Sequence, residues 1–85
     1  MDGYWLITFR SITFGQKGER ALRSGGIACS LRKTPKMISA RGCGYCLQLK
    51  ANDGPEALRL LQNAQVGYTG IYLLHGNGDV EELRL

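Results

Sequence analysis

The chain has a single histidine, His75, and only three cysteines, Cys29, Cys43 and Cys46. One Cys-x-x-Cys pair with one histidine falls short of the four ligands a zinc site takes, so no metal is expected. The odd cysteine count argues against a disulfide framework. Met1-Asp2-Gly3-Tyr4-Trp5 lacks the basic stretch followed by an apolar run that marks a signal peptide. No run approaches the ~18 apolar residues of a membrane span. A cytoplasmic protein with no membrane partner is the expectation. Gly15 and Gly18 do not make a phosphate loop, because no G-x-x-x-x-G-K sequence is present. Paired carboxylates and a serine–histidine arrangement are also missing, and no resident cofactor is expected.

Acidic residues are outnumbered. Seven Asp and Glu against eleven Lys and Arg give a formal charge of +4 and an isoelectric point near 9.2. That balance suits nucleic acid, an acidic protein or a phosphate-bearing ligand, and equally an ordinary solvated face. Eighty-five residues make one domain, residues 1–85, with one modest core.

What is present, and chemically unusual, is Arg41-Gly42-Cys43-Gly44-Tyr45-Cys46. The approach to it, Arg32 to Arg41, carries Arg32, Lys33, Lys36 and Arg41 and no acidic residue. A thiol reacts as its thiolate, which nearby cations favour. Glycines on both sides of Cys43 free the backbone and leave the sulfur uncrowded. The segment reads as a reactive thiol at Cys43, with Cys46 as a second thiol. Arg41, Lys36 and Lys33 are candidate cations for the thiolate or an anionic ligand. The backbone N–H groups of Gly42, Cys43 and Gly44 are candidates for a small anion nest.

Hydrophobic patterning places this segment on a scaffold. Tyr4 to Phe9 predicts a central strand buried on both faces. Thr13 and Gln16 have the spacing of a capping box that starts a helix, and Gly25-Gly26 ends it. Ile27 to Arg32 predicts a second strand with Ile27, Cys29 and Leu31 inward, so that Cys29 is a packing residue. Tyr45 to Lys50 predicts a third, with Tyr45, Leu47 and Leu49 on one face and Cys46, Gln48 and Lys50 on the other. Pro55 predicts the first turn of a second helix capped by Asp53 or Gly54 and ended by Gly67. Gly70 to His75 predicts a fourth strand. Asn77-Gly78 signals a hairpin leading to an edge strand over Val80 to Leu85, although Asp79 to Glu82 could cap a short helix.

The order β-α-β-β-α-β predicts an α+β, ferredoxin-like sandwich. Its antiparallel sheet would have the order 4-1-3-2, with both helices on one face and a further C-terminal strand allowed. The first and third strands would lie side by side and parallel at the centre. The start of the third strand, the start of the first and the end of the fourth would then share one end of the sheet. Cys43 would sit where the helices finish, out of reach of a helix N-terminus, with His75 at the same end. An extended segment would hold the Cα atoms of Cys43 and Cys46 ~10 Å apart. A disulfide needs less than ~7 Å, hence a turn at Gly44-Tyr45. In thioredoxin-like proteins a Cys-x-x-Cys opens a helix; here a strand follows it.

From Tyr4 to about Tyr72 the chain resembles a small bacterial family of selenium/sulfur carrier-like proteins. The resemblance rests on Tyr4-Trp5-Leu6-Ile7-Thr8-Phe9, Arg32-Lys33-Thr34-Pro35-Lys36, Arg41-Gly42-Cys43-Gly44-Tyr45-Cys46 and Gly67-Tyr68-Thr69-Gly70-Ile71-Tyr72. It implies a carrier of sulfur or selenium with Cys43, of the Cys43-Gly44 pair, as the attachment point. The implied partners are a cysteine desulfurase-type donor and a selenium or sulfur acceptor enzyme.

Two other readings compete. The third strand compares with the K/R-G-F/Y-G/A-F-V-x-F/Y segment of an RNA-binding RRM, but Cys43 and Gln48 stand where aromatic residues would stack on bases. The other is a protein-interaction module. There the open sheet face, with Tyr4, Leu6, Tyr72 and Leu74 beside Cys46 and Gln48, would be covered by a homodimer or another protein.

Overall fold

A computed structural model describes residues 3–35 and 44–83. Its centre is β1 (Gly3–Phe9), in which every residue from Trp5 to Phe9 is buried. Alternation sends Trp5, Ile7 and Phe9 to one face, where they meet Leu22, Ala57 and Leu61 of the two helices. Leu6 and Thr8 point to the other face.

The elements that follow are α1 (Ile12–Ser24), β2 (Cys29–Lys33), β3 (Tyr45–Lys50), a short 3-10 turn (Ala51–Asp53), α2 (Gly54–Asn63), β4 (Gly70–His75) and β5 (Val80–Leu83). They form an α+β domain with a five-stranded antiparallel sheet ordered β2-β3-β1-β4-β5. The expected four-stranded order 4-1-3-2 is not matched as such, because β5 lies outside β4. Val80–Leu83 is a strand, not a helix, and the rest of the expected strand, Arg84 and Leu85, lies outside the described residues. Gly78 takes the left-handed conformation, with φ of 96°. The turn is closed by bonds from the Gly78 N–H to the His75 carbonyl and from the His75 N–H to the Asp79 carbonyl.

The direction of the strands corrects the expected arrangement. β1 and β3 are neighbours but antiparallel, pairing Phe9 with Tyr45 and Tyr4 with Lys50. α1 returns the chain so that β1 and β2 run the same way, and β3 lies between them, antiparallel to both. The start of β3 therefore shares an end of the sheet with the end of β1 and the start of β4. α1 begins at that end. His75, paired with Gly3, is at the opposite end.

Helix boundaries also differ from the sequence reading. Ser11, not Thr13, caps α1, its hydroxyl accepting from the Phe14 N–H at 3.3 Å. Gly15, Gly18 and Leu22 are the buried positions of α1, because glycine lets the helix approach the Phe9 ring; a Cβ on Gly18 would lie 2.8 Å from it. α2 packs its first turn on Trp5 through Gly54. It ends at Asn63, and the chain turns away at Gln65, with φ of 58°, two residues before Gly67. The Val66 N–H returns to the Leu61 carbonyl there, which satisfies a helix end without glycine.

Candidate thiol site

Cys43, Arg41, Gly42 and Lys36 lie outside the described residues, so the site is built here from its flank: Lys33, Thr34, Gly44, Tyr45 and Cys46. Lys33 ends β2, exposed, opposite Tyr45. The Thr34 N–H donates to the Gly44 carbonyl at 3.0 Å and carries the β2–β3 ladder one residue past the strand. The turn at Gly44-Tyr45 that a Cys43–Cys46 disulfide requires is therefore not formed, and Cys46 is a free thiol. Gly44 is not among the glycines with positive φ, so it does not supply the left-handed residue of an anion nest. A Cβ built on it would meet nothing within 4 Å.

Cys46 is on the face away from the helices, as alternation predicts, yet it is fully buried. Across β2 its register partner is Arg32, and across β1 it is Thr8. Burial pushes the Cys46 thiol above its ordinary pKa; the Thr34 hydroxyl and the Arg32 guanidinium pull the other way and are outweighed. The Thr34 oxygen is itself buried and meets no partner at ordinary hydrogen-bond geometry among the described residues, yet it is close enough to the Cys46 sulfur to lower that pKa. Arg32 is held in place by Gln48, donating from Nη1 to Oε1 at 2.6 Å. Thr8 shares a hydrogen bond of 2.7 Å with Thr69 and donates to the Gly70 carbonyl at 3.3 Å. A buried hydroxyl needs such partners. Thr8 and Thr34 were not singled out from the sequence; the one signal was a lone polar residue in the buried run Trp5 to Phe9.

Cys29 faces the helices and is buried, with its Sγ 4.0 Å from the Glu19 carbonyl. Burial raises its pKa; Arg23 lowers it and Glu19 raises it by smaller amounts. It is a packing residue. His75 pairs with Glu81, Nε2 to Oε1 at 3.2 Å, and is remote from the start of β3. Among the described residues no group of three His, Cys, Asp or Glu side chains could hold a metal. Among the described residues no helix is long and apolar enough to cross a membrane. A cavity of about 660 Å³ lies between the helices, lined by Lys17, Arg20, Ala21, Leu60 and Val66 among others. It is on the opposite side of the sheet from Cys46, so its size does not make it the thiol site.

A family model described as Putative Se/S carrier protein-like matches residues 4–73. The chain belongs to this Se/S carrier-like family. The match runs from β1 into β4, includes Cys43 to Cys46, and leaves β5 outside it. No curated protein and no solved structure matches the chain.

Proposed function

We propose that this Se/S carrier-like protein carries sulfur or selenium on Cys43. What supports the reading, beyond family membership, is the state of the other two thiols. Cys29 and Cys46 are both buried, with pKa values raised by that burial, and a protonated buried thiol is a poor nucleophile. Cys43 is the remaining thiol, in a segment whose cations Lys33, Lys36 and Arg41 would favour its thiolate.

In loading, the Cys43 thiolate attacks the outer sulfur of a donor enzyme's persulfide. A new sulfur–sulfur bond forms on Cys43 as the donor's breaks, and the donor leaves as a thiolate. Unloading is the same exchange with an acceptor nucleophile, which takes the terminal sulfur and frees the Cys43 thiolate. Neither step has a net oxidation. Buried Cys46 has no part in loading in this reading. If it attacked the inner sulfur of loaded Cys43, the products would be hydrosulfide and a disulfide, and a dithiol would be needed to reset the chain.

Intact mass after incubation with a desulfurase and cysteine or selenocysteine tests the proposal. The parent should gain about 32 Da for sulfur or about 80 Da for selenium, and Cys43→Ser should gain neither. Equal loading of the two would overturn it. The RRM reading is disfavoured by the placement of Tyr45 and Leu47. Tyr45 lies on the helix side, beside Gly15, and Leu47 is in the core between sheet and helices. The Tyr45 ring is therefore not offered to a base on the other face.

A further inference from the structure

Large apolar side chains are not scattered evenly over the surface. Four large apolar side chains are exposed among the described residues: Tyr4 lies at the end of the sheet where β3 finishes, and the other three, Ile12, Phe14 and Tyr68, 42%, 36% and 42% exposed, belong to the end where β3 begins. Ile12 and Phe14 are in the first turn of α1; Tyr68 precedes β4, and Thr69 beside it donates its N–H to the Thr8 carbonyl at 2.8 Å. Phe14 and Tyr68, with Arg10, Gly67 and Thr69, line a cavity of about 290 Å³. The tie to β3 is direct. Phe9, just before Arg10, pairs with Tyr45, and a Cβ on Gly15 would lie 3.9 Å from that of Tyr45. Gly44, next in the chain, is the residue that follows Cys43.

The charge around these rings has one sign. Arg10 lines the cavity, and Lys17 holds its Nζ 5.8 Å from the centre of the Phe14 ring. From Phe9 to Gly18 and from Gln65 to Gly70 there is no carboxylate. Tyrosine and arginine are among the side chains that most often anchor protein interfaces: tyrosine buries a large, stiff ring with a polar tip, and the planar arginine fork pairs with carboxylates.

We propose that Arg10, Ile12, Phe14 and Tyr68 form the docking surface for the donor enzyme, which presents carboxylates around an apolar anchor. The proposal rests on the carrier reading and adds to it the face that the donor occupies. A partner seated there lies beside the start of β3, next in sequence to the Cys43-Gly44 pair. The patch is small, which suits a carrier that must dissociate after each transfer. Ile12 favours a protein occupant, since an aliphatic side chain offers no stacking plane to a nucleobase.

The test compares two routes to the same loaded thiol in the full chain. One donor is a cysteine desulfurase charged with cysteine; the other is glutathione persulfide, which needs no docking. Tyr68→Ala and Arg10→Glu should each raise the carrier concentration for half-maximal transfer from the desulfurase about ten-fold, with the maximal rate little changed. Loading from glutathione persulfide should be unchanged, which also shows that the variants are folded and that their thiol is intact. Half-saturation equal to the parent's in both variants would overturn the proposal while leaving the carrier reading standing. So would a parent that loads from glutathione persulfide and not from the desulfurase. Loading from neither donor would remove the carrier reading and the docking surface together. Binding of single-stranded polyuridylate that Tyr68→Ala abolishes, with desulfurase transfer unaffected, would assign the patch to nucleic acid instead.

Discussion

Cys46 on β3 stands directly opposite Thr8 on β1, and both side chains are buried on the sheet face that the helices do not cover. The Thr34 hydroxyl and the Arg32 guanidinium beside this thiol favour its thiolate form. Burial reverses that, and Cys46 stays protonated.

The first prediction concerns which thiol reacts. Limiting iodoacetamide at neutral pH should label Cys43 ahead of Cys29 and Cys46, read by peptide mass. The same burial gives a pH dependence of stability. Both folded pKa values are raised, so the folded chain binds more protons than the unfolded one on the alkaline side. Their contribution is fully present below the ordinary thiol pKa of about 8.5 and is lost as pH rises through the folded values. Denaturant midpoints should therefore fall above that pH, and the fall should be smaller in Cys29→Ala and Cys46→Ala. A parent whose alkaline loss matches that of both variants would contradict it.

Two glycines give opposite expectations. A Cβ on Gly54 would lie 2.5 Å from Trp5 Cδ2, in a packed contact between α2 and β1. Gly54→Ala should cost about 1–3 kcal/mol by overpacking. Gly44→Ala meets open space at a backbone that is not left-handed, so stability should change by less than about 0.5 kcal/mol. Any loss of transfer in Gly44→Ala, measured by intact mass, would then report on the approach of a partner to Cys43 and not on folding.

The contrast between these glycines shows what the sequence made legible. Residues Tyr45 to Lys50 were readable as a strand with the correct faces, because alternation is local and the run is bounded by turn-forming residues. The hairpin at Asn77-Gly78 was readable because its turn needs a left-handed glycine. The direction of β1 relative to β3 was not readable from periodicity, which is blind to chain direction, and the positions of His75 and the start of α1 went wrong with it. Ser11 was passed over as a cap because Thr13 and Gln16 offered a fuller signature three residues apart. The burial of Cys46 and the threonines around it depends on packing between strands distant in sequence. The carrier thiol itself was legible only as composition, a cysteine between glycines after a basic stretch.

The end of α2 makes a third prediction. Gln65 holds φ of 58°, a conformation that costs a residue with a Cβ about 1–2 kcal/mol. Gln65→Gly relieves that cost but adds freedom to the unfolded chain worth about 0.4–1 kcal/mol, so a net gain of about 0.5–1 kcal/mol is expected. Gln65→Val, branched at Cβ, should lose stability instead. Urea unfolding of the three proteins decides it, and a Gly variant less stable than the parent would show that the Gln side chain contributes more than its backbone strain costs.

The face away from the helices was expected to be open and to invite a second copy, yet Leu6 is completely buried within a single chain, whereas Tyr4 on the same strand is 43% exposed. Leu6→Ala should therefore cost about 2–5 kcal/mol, the range for emptying a packed aliphatic site, and Tyr4→Ala less than about 1 kcal/mol. Protein concentration separates burial within the chain from burial by a partner copy. If the chain covers Leu6 itself, the melting temperatures of parent and Leu6→Ala should not move over a hundred-fold dilution, because a unimolecular transition has no mass-action term. If a homodimer supplies the cover, both should fall on dilution, since association stabilises the folded state only while the second copy is bound. A concentration-dependent parent with an unaffected Tyr4→Ala would place the dimer contact near Leu6. A dependence removed by Tyr4→Ala would place it on the exposed edge of the face instead.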